Sequence, residues 1–162
     1  RNTVTLTLRF NTAPLLLNGS FEEVGPGGAP VAWTPGAWSS DTQTKYTIDV
    51  KPGGVAGEKA LRFEGLAGTL NLVCAQRVDD LKAGQVYVFS GQYKSAAGCA
   101  LSAISYVAGK ERDYLSQGLP PSADWKPFVW EFKLQEHEYA QIVVRTGSKG
   151  ESWFDDLKLL PK

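Results

Sequence analysis

A chain of 162 residues with 17 basic and 17 acidic side chains and a pI near 6.8 suits one domain with a full-sized core and no net field. That balance excludes the basic footprint of a nucleic-acid or anionic-membrane binder, and no apolar run is long enough to cross a bilayer as a helix. Two cysteines, Cys74 and Cys99, are too few for a disulfide scaffold and are not spaced for zinc, which leaves one bridge between neighbouring strands or two buried thiols.

In chain order, residues 1–13 read as a Thr-rich strand and a linker, the tail of a preceding module that can pair along a sheet edge; the domain proper is expected over 14–162. The abrupt start at Arg1 and the lack of Met suggest excision from a longer polypeptide. "LLLNGSFEE" then begins something new. Beyond it, Gly/Pro clusters ("VGPGGAP", "KPGG", "QGLPPSAD") punctuate short stretches of period-two apolar alternation: "KYTIDV", "KALRFEG", "TLNLV", "QVYVFSGQYK", "LSAISYV", "FVWEFKL" and "QIVVRTG". No window holds a helical period over three turns. Alternation, β-branched enrichment and regular turns predict an all-β fold, an antiparallel sandwich, with "YLSQGLPPSADW" as a long surface loop.

The usual catalytic signatures are missing. There is no nucleophile elbow, metalloprotease helix or phosphate-cradling loop, and "GVAGEKAL" resembles the last only in its glycines. His137 lies in the polar turn "LQEHEYAQ" and reads as a surface residue, while both cysteines fall in strand-like segments where thiols are inert. Most acids sit in polar turns, so a small lyase or hydrolase is the least favoured reading.

The last segment, "GESWFDDLKLLPK", places Asp155 and Asp156 among its most apolar residues. Strict alternation sends Asp155 inward with Leu157 and Leu159, and Asp156 outward. An inward carboxylate needs a cation or a set of hydrogen-bond donors. With no His or Cys nearby, the hard oxygen ligands select calcium, and Glu22 from the start of the domain is the obvious second carboxylate. A salt bridge, or a hydrogen bond from a turn, is the alternative.

"LLLNGSFEE", "GAPVAW", "GEKALRFEG", "LKAGQVYVFSGQYKS", "DWKPFVWEFKL" and "WFDDLKL", in that order, resemble carbohydrate-binding modules of families four, nine, sixteen and twenty-two. The resemblance spans Leu15 to Leu159 and implies a galactose-binding-like jelly roll that binds a polysaccharide or oligosaccharide without cleaving it. It implies a monomeric module covalently linked to a catalytic domain in a secreted or cell-surface protein. It also implies a structural calcium held by Glu22 and Asp155, with carbonyls near Ser20 and at Lys59. A spacer or adhesion domain of the same fold is the rival reading.

Sugar recognition calls for an aromatic platform with polar side chains beside it. Trp33, Trp125, Trp130 and Trp153 read as core. Trp38, among small polar residues in a loop, reads as an exposed platform, with Tyr46 on the next strand. In "VYVFSGQYKS" and "QIVVRTG", Gln92, Lys94, Gln141 and Arg145 fall on the polar sides. The resemblance implies a concave sheet face on which Gln92, Tyr106, Glu131 and Arg145 converge, with Tyr114 closing one end. Arg145 and Lys94 there would suit an acidic or heavily hydroxylated glycan.

Overall fold

A computed structural model describes residues 14–38, 45–67, 71–147 and 149–162. Residues 1–13, expected as a linker or edge strand, lie outside them. Ten strands follow one another: β1 (Thr34–Ala37), β2 (Lys45–Pro52), β3 (Lys59–Ala67), β4 (Leu72–Val78), β5 (Tyr87–Ser95), β6 (Cys99–Val107), β7 (Lys110–Leu119), β8 (Ser122–Phe132), β9 (Tyr139–Thr146) and β10 (Gly150–Pro161). Helical structure among the described residues is one short 3-10 turn, Pro26–Gly28. The strands pair antiparallel into two five-stranded sheets, sheet one in the order β1-β4-β9-β6-β7 and sheet two in the order β2-β3-β10-β5-β8. This is the antiparallel β-sandwich that the alternating pattern predicts, in the jelly-roll form that the resemblance implies.

Alternation decides what each strand buries. On β5, Tyr87, Phe89, Gly91, Tyr93 and Ser95 all face inward and are buried. Phe89 stands opposite Trp130, and Gly91 opposite Phe128. Gly91 leaves room for its neighbours: a Cβ there would come within 2.7 Å of a Leu157 methyl and 3.0 Å of the Phe128 ring, so one of them would have to shift. Phe63 and Phe154 meet edge to face at 5.7 Å. Each such buried aromatic contributes roughly 2–3 kcal/mol of hydrophobic stabilisation. Cys74 and Cys99 are free thiols in this core, not a bridge, and burial pushes both thiol pKa values up to about 12, so neither is a nucleophile.

The "NGSFEE" motif fastens the entry segment. Asn18, in a left-handed conformation (φ 50°), donates from Nδ2 to the carbonyls of Glu23 and Val31, both at 2.8 Å, and accepts from the Glu23 N–H at 3.1 Å. Phe21 is fully buried against Trp33, whose indole N–H donates to the Leu17 carbonyl at 3.0 Å. The Gly19 carbonyl accepts from the Leu157 N–H at 2.9 Å, joining the start of the described chain to its last strand.

Two expectations are corrected here. "YLSQGLPPSADW" is not a long loop: β7 runs to Leu119 and β8 starts at Ser122, leaving Pro120 and Pro121 as the connection. Its Gly and Pro residues mark a tight turn between two long strands. The second correction concerns the acidic pair. From Asp155 to Lys158 β10 takes three steps while β5 takes two, Gln92 to Ser90, so β10 carries a bulge, with Asp156 in a left-handed conformation (φ 54°). Phe154 and Leu157 therefore both pack in the core, while Asp155, opposite Gln92, is buried beside it and Asp156 is partly exposed.

Candidate functional site

The outer side of sheet one is neither flat nor uniformly polar. Register places Arg77, Gln141, Ile104 and Tyr114 in one row across β4, β9, β6 and β7, with Ala75, Val143, Ser102 and Ser116 in the next and Val73, Arg145, Ala100 and Gly118 in a third. Val73, Ile104 and Val143 form a small apolar cluster, 0–5% exposed, although they point away from the main core. Something must cover them.

Ala75 and the Tyr106 ring pack against them, and a further aromatic pair lies on the same side. The Trp38 N–H donates to the Asn71 carbonyl at 2.8 Å, extending the β1–β4 ladder and setting Trp38 on the same side as Val73. Trp38 follows one edge strand and Tyr114 stands on the opposite edge strand, yet their rings meet at 6.1 Å. Five strands at about 4.8 Å spacing would hold flat edges about 19 Å apart. The two side chains are therefore brought together across the sheet's outer face, well inside the flat edge-to-edge span. Trp38 remains 41% and Tyr114 46% exposed, so the outward surface of this bridge is free.

Polar groups flank the bridge on both sides. Tyr106 stacks on Tyr139 at 4.9 Å and 10°, its hydroxyl donates to Gln141 Oε1 at 3.1 Å, and Arg77 covers the other ring at 4.0 Å. On the far side, Arg145 Nε donates to Ser102 Oγ at 3.0 Å and a terminal guanidinium N–H to Ser116 Oγ at 3.3 Å; the two hydroxyls are 3.0 Å apart. A groove of about 320 Å³ opens beside Arg145, bordered by Gly98, Ala100, Gly118, Pro120 and Gly147.

The outer side of sheet two is different. Arg62 is neutralised by Asp49, Glu64 and Glu151 at 3.3–3.4 Å, and Lys162 pairs with Glu131 at 2.9 Å. Lys94 stands over the rings of both Trp125 (5.2 Å) and Trp153 (4.9 Å). Those two tryptophans are half-buried on this outer side, not in the core as expected. Trp33 and Trp130 do pack with the core.

The expected convergence of Gln92, Tyr106, Glu131 and Arg145 is therefore corrected. Tyr106 and Arg145 share the outer face of sheet one with Trp38 and Tyr114. Gln92 and Glu131, like Lys94, lie on β5 and β8 in sheet two, on the far side of the sandwich. Tyr46 is exposed near the start of edge strand β2, also in sheet two. Ser102, Ser116, Tyr139 and Arg77 escaped the sequence reading, since only the β4–β9, β6–β7 and β6–β9 registers bring them to the others.

The acidic pair is settled separately. Asp155 is fully buried under the turn joining β2 to β3. Its Oδ2 accepts from the N–H groups of Val55 (2.7 Å) and Ala56 (2.9 Å), and its Oδ1 from that of Asp156 (2.7 Å). Glu22 reaches the same turn, with Oε1 accepting from Glu58 and Lys59 N–H at 2.9 and 3.0 Å. A Cβ on Gly57, which has φ 113°, would strike the Glu22 carboxylate; one on Gly54 would strike both the Lys59 carbonyl and Asp155, so those two oxygens border one space. Burial raises the Asp155 carboxyl above its ordinary range, and the amides of Ala56, Asp156 and Val55 only partly offset it. Among the described residues, no ammonium or guanidinium pairs with either carboxylate, and no group of three His, Cys, Asp or Glu side chains gathers for a metal. Asp156 pairs with Lys158 at 3.2 Å.

No protein-family model and no curated protein sequence matches the chain. Solved structures do. A family 4 carbohydrate-binding module superposes with a TM-score of 0.66 at 20% identity, over 90% of this chain and 99% of that one. A family 61 module in complex with β-1,4-galactotriose gives 0.61 at 20% identity, over 93% and 100%. The enzymatically active domain of bacteriophage CBA120 tailspike protein 4 gives 0.68 at 13% identity, over 92% of this chain, which spans only 21% of that protein. The fold is thus that of carbohydrate-binding modules.

Proposed function

We propose that the chain is a non-catalytic carbohydrate-binding module whose glycan lies along the outer face of sheet one. The observation that carries this reading is the Trp38–Tyr114 pair: two exposed rings from opposite sheet edges meeting over one face, with hydrogen-bonding groups on either side. An exposed aromatic surface buries the apolar face of a sugar ring, while Gln141, Arg145 and the serine hydroxyls hold its oxygens. Similarity to modules solved with oligosaccharides supports the same use. In a secreted polysaccharide-degrading enzyme such a module would act by effective concentration, keeping a covalently linked catalytic domain at its polymer.

The reading extends to a structural calcium held by Glu22 and Asp155, with Lys59 and Ser20 contributing carbonyls. Support comes from the donor chemistry: two carboxylates without cationic partners among the described residues and a carbonyl bordering the same space, all hard oxygens. The ion would fasten the first segment and last strand to the β2–β3 turn and stabilise by binding only the folded state. It would take no part in sugar recognition.

Affinity electrophoresis through gels containing soluble galactans, mixed-linkage glucans, xylans and polyuronates tests the binding reading. Retardation in at least one gel, lost in Trp38→Ala, is expected. Free migration in all of them would leave a spacer or adhesion module; shortened glycans after incubation would instead indicate a lyase or hydrolase.

A further inference from the structure

We propose that Arg145 reads a carboxylate, so that the preferred ligand of the sheet-one face is a glycan containing uronic acid. This rests on the glycan-binding reading and narrows it.

A guanidinium has five N–H donors in a fixed fork. Arg145 spends one on Ser102 and one on Ser116, and the contact between those two hydroxyls fixes the pair as a platform. The remaining donors have no partner among the described residues. Arg145 is half-buried and its remaining donors stay open to solvent, and no carboxylate of the described chain serves them. Arg62 and Arg77, by contrast, each have an aspartate within 3.4 Å. This guanidinium is oriented by two serines and has no carboxylate partner among the described residues.

Room is reserved beside it. Arg145, Ala100 and Gly118 stand side by side across β9, β6 and β7. A Cβ added at Gly118 would meet nothing within 4 Å, so the row falls from a long side chain to open space within two strands. The groove there, about 320 Å³, is bordered by glycine, alanine and proline, which supply no competing anion. A planar fork beside such a groove fits a carboxylate bidentately, whereas sugar hydroxyls would use its donors singly and without the charge. Trp38 lies over the same face, so one sugar can stack while its neighbour presents the carboxylate.

The test compares each of polygalacturonate, alginate and glucuronoxylan with its carboxyl-reduced counterpart, alongside dextran sulfate, by affinity electrophoresis and calorimetry. The variants are Arg145→Gln, Arg145→Lys and Gly118→Phe, each checked for an unchanged melting curve. The expected result is at least tenfold tighter binding to one uronate polymer than to its reduced form. Arg145→Gln and Arg145→Lys should both abolish that preference while keeping the weaker binding to the reduced polymer. Gly118→Phe should weaken uronate binding by plugging the groove, and it carries the test should the arginine variants fail to fold. Equal affinity for a uronate polymer and its reduced form overturns the proposal and leaves the glycan-binding reading standing. So does a preference that survives in Arg145→Lys, or equal retention by dextran sulfate, which would mark mere charge attraction. Binding to no polymer at all would remove the glycan-binding reading and this proposal together.

Discussion

The two outer faces of this sandwich are built from the same alternating strands and hold similar residues: tryptophans, tyrosines, arginines or lysines, and glutamines. On sheet two those groups are used up by one another. Arg62 faces three carboxylates, Lys162 faces Glu131, and Lys94 rests on Trp125 and Trp153. On sheet one Trp38 and Tyr114 keep exposed ring surface, and Arg145 is oriented by two serines without a counter-ion among the described residues. What marks a binding face is therefore not which residues it holds but which of them are left unspent.

That contrast can be broken most sharply by Trp38→Ala, which removes the exposed ring. Glycan affinity should fall about a hundredfold, roughly 2.7 kcal/mol, with the fold intact by circular dichroism. Asp155→Ala should do the reverse. Leaving the Val55, Ala56 and Asp156 amides without their acceptor costs about 2 kcal/mol and lowers the melting temperature by about 5 °C, with glycan affinity below the transition unchanged. Chelation should lower the wild-type melting temperature in the same direction and leave Asp155→Ala unmoved; identical wild-type melting curves with and without chelator would refute the calcium.

A smaller effect is expected at Asp113. Burial alone would raise its carboxyl, but the backbone and side-chain N–H groups of Gln135 and the Ser105 hydroxyl outweigh burial and hold it below the ordinary carboxylate range. A depressed folded-state pKa adds stability that is present above the unfolded value and lost as pH falls through the folded one. Acid unfolding below about pH 4 should thus be shallower in Asp113→Asn than in wild type; parallel acid limbs would show that the clamp contributes nothing. At the bottom of the scale, Gln92→Ala and Glu131→Ala should leave glycan affinity within about twofold, because both lie on the spent face. A tenfold loss at either would put the ligand on sheet two.

The fold was legible because period-two alternation reports burial directly: the inward set on β5 can be read from "YVFSGQYKS" without any structure. Which sheet a strand joins is another matter. Gln92 and Arg145 have the same local pattern, yet β5 and β9 lie in different sheets, and only long-range pairing decides that. Alternation also fails where the strand does. The bulge at Asp155–Asp156 adds one residue, so Phe154 and Leu157, which strict phase divides between two faces, both reach the core, with the β2–β3 turn closing over Asp155. Tyr114 was expected in a loop because Gly118, Pro120 and Pro121 dominate its neighbourhood. Those residues instead end one long strand just before the next begins.

Backbone and indole amide chemical shifts, followed while the best-retained oligosaccharide is titrated in, test the central claim most directly. The account predicts that the largest shifts fall on the Trp38 indole and on the Ser102, Ser116 and Arg145 amides, with Trp125 and Trp153 unmoved. Shifts confined to the Trp125 and Trp153 indoles and the Lys94 amide would contradict it.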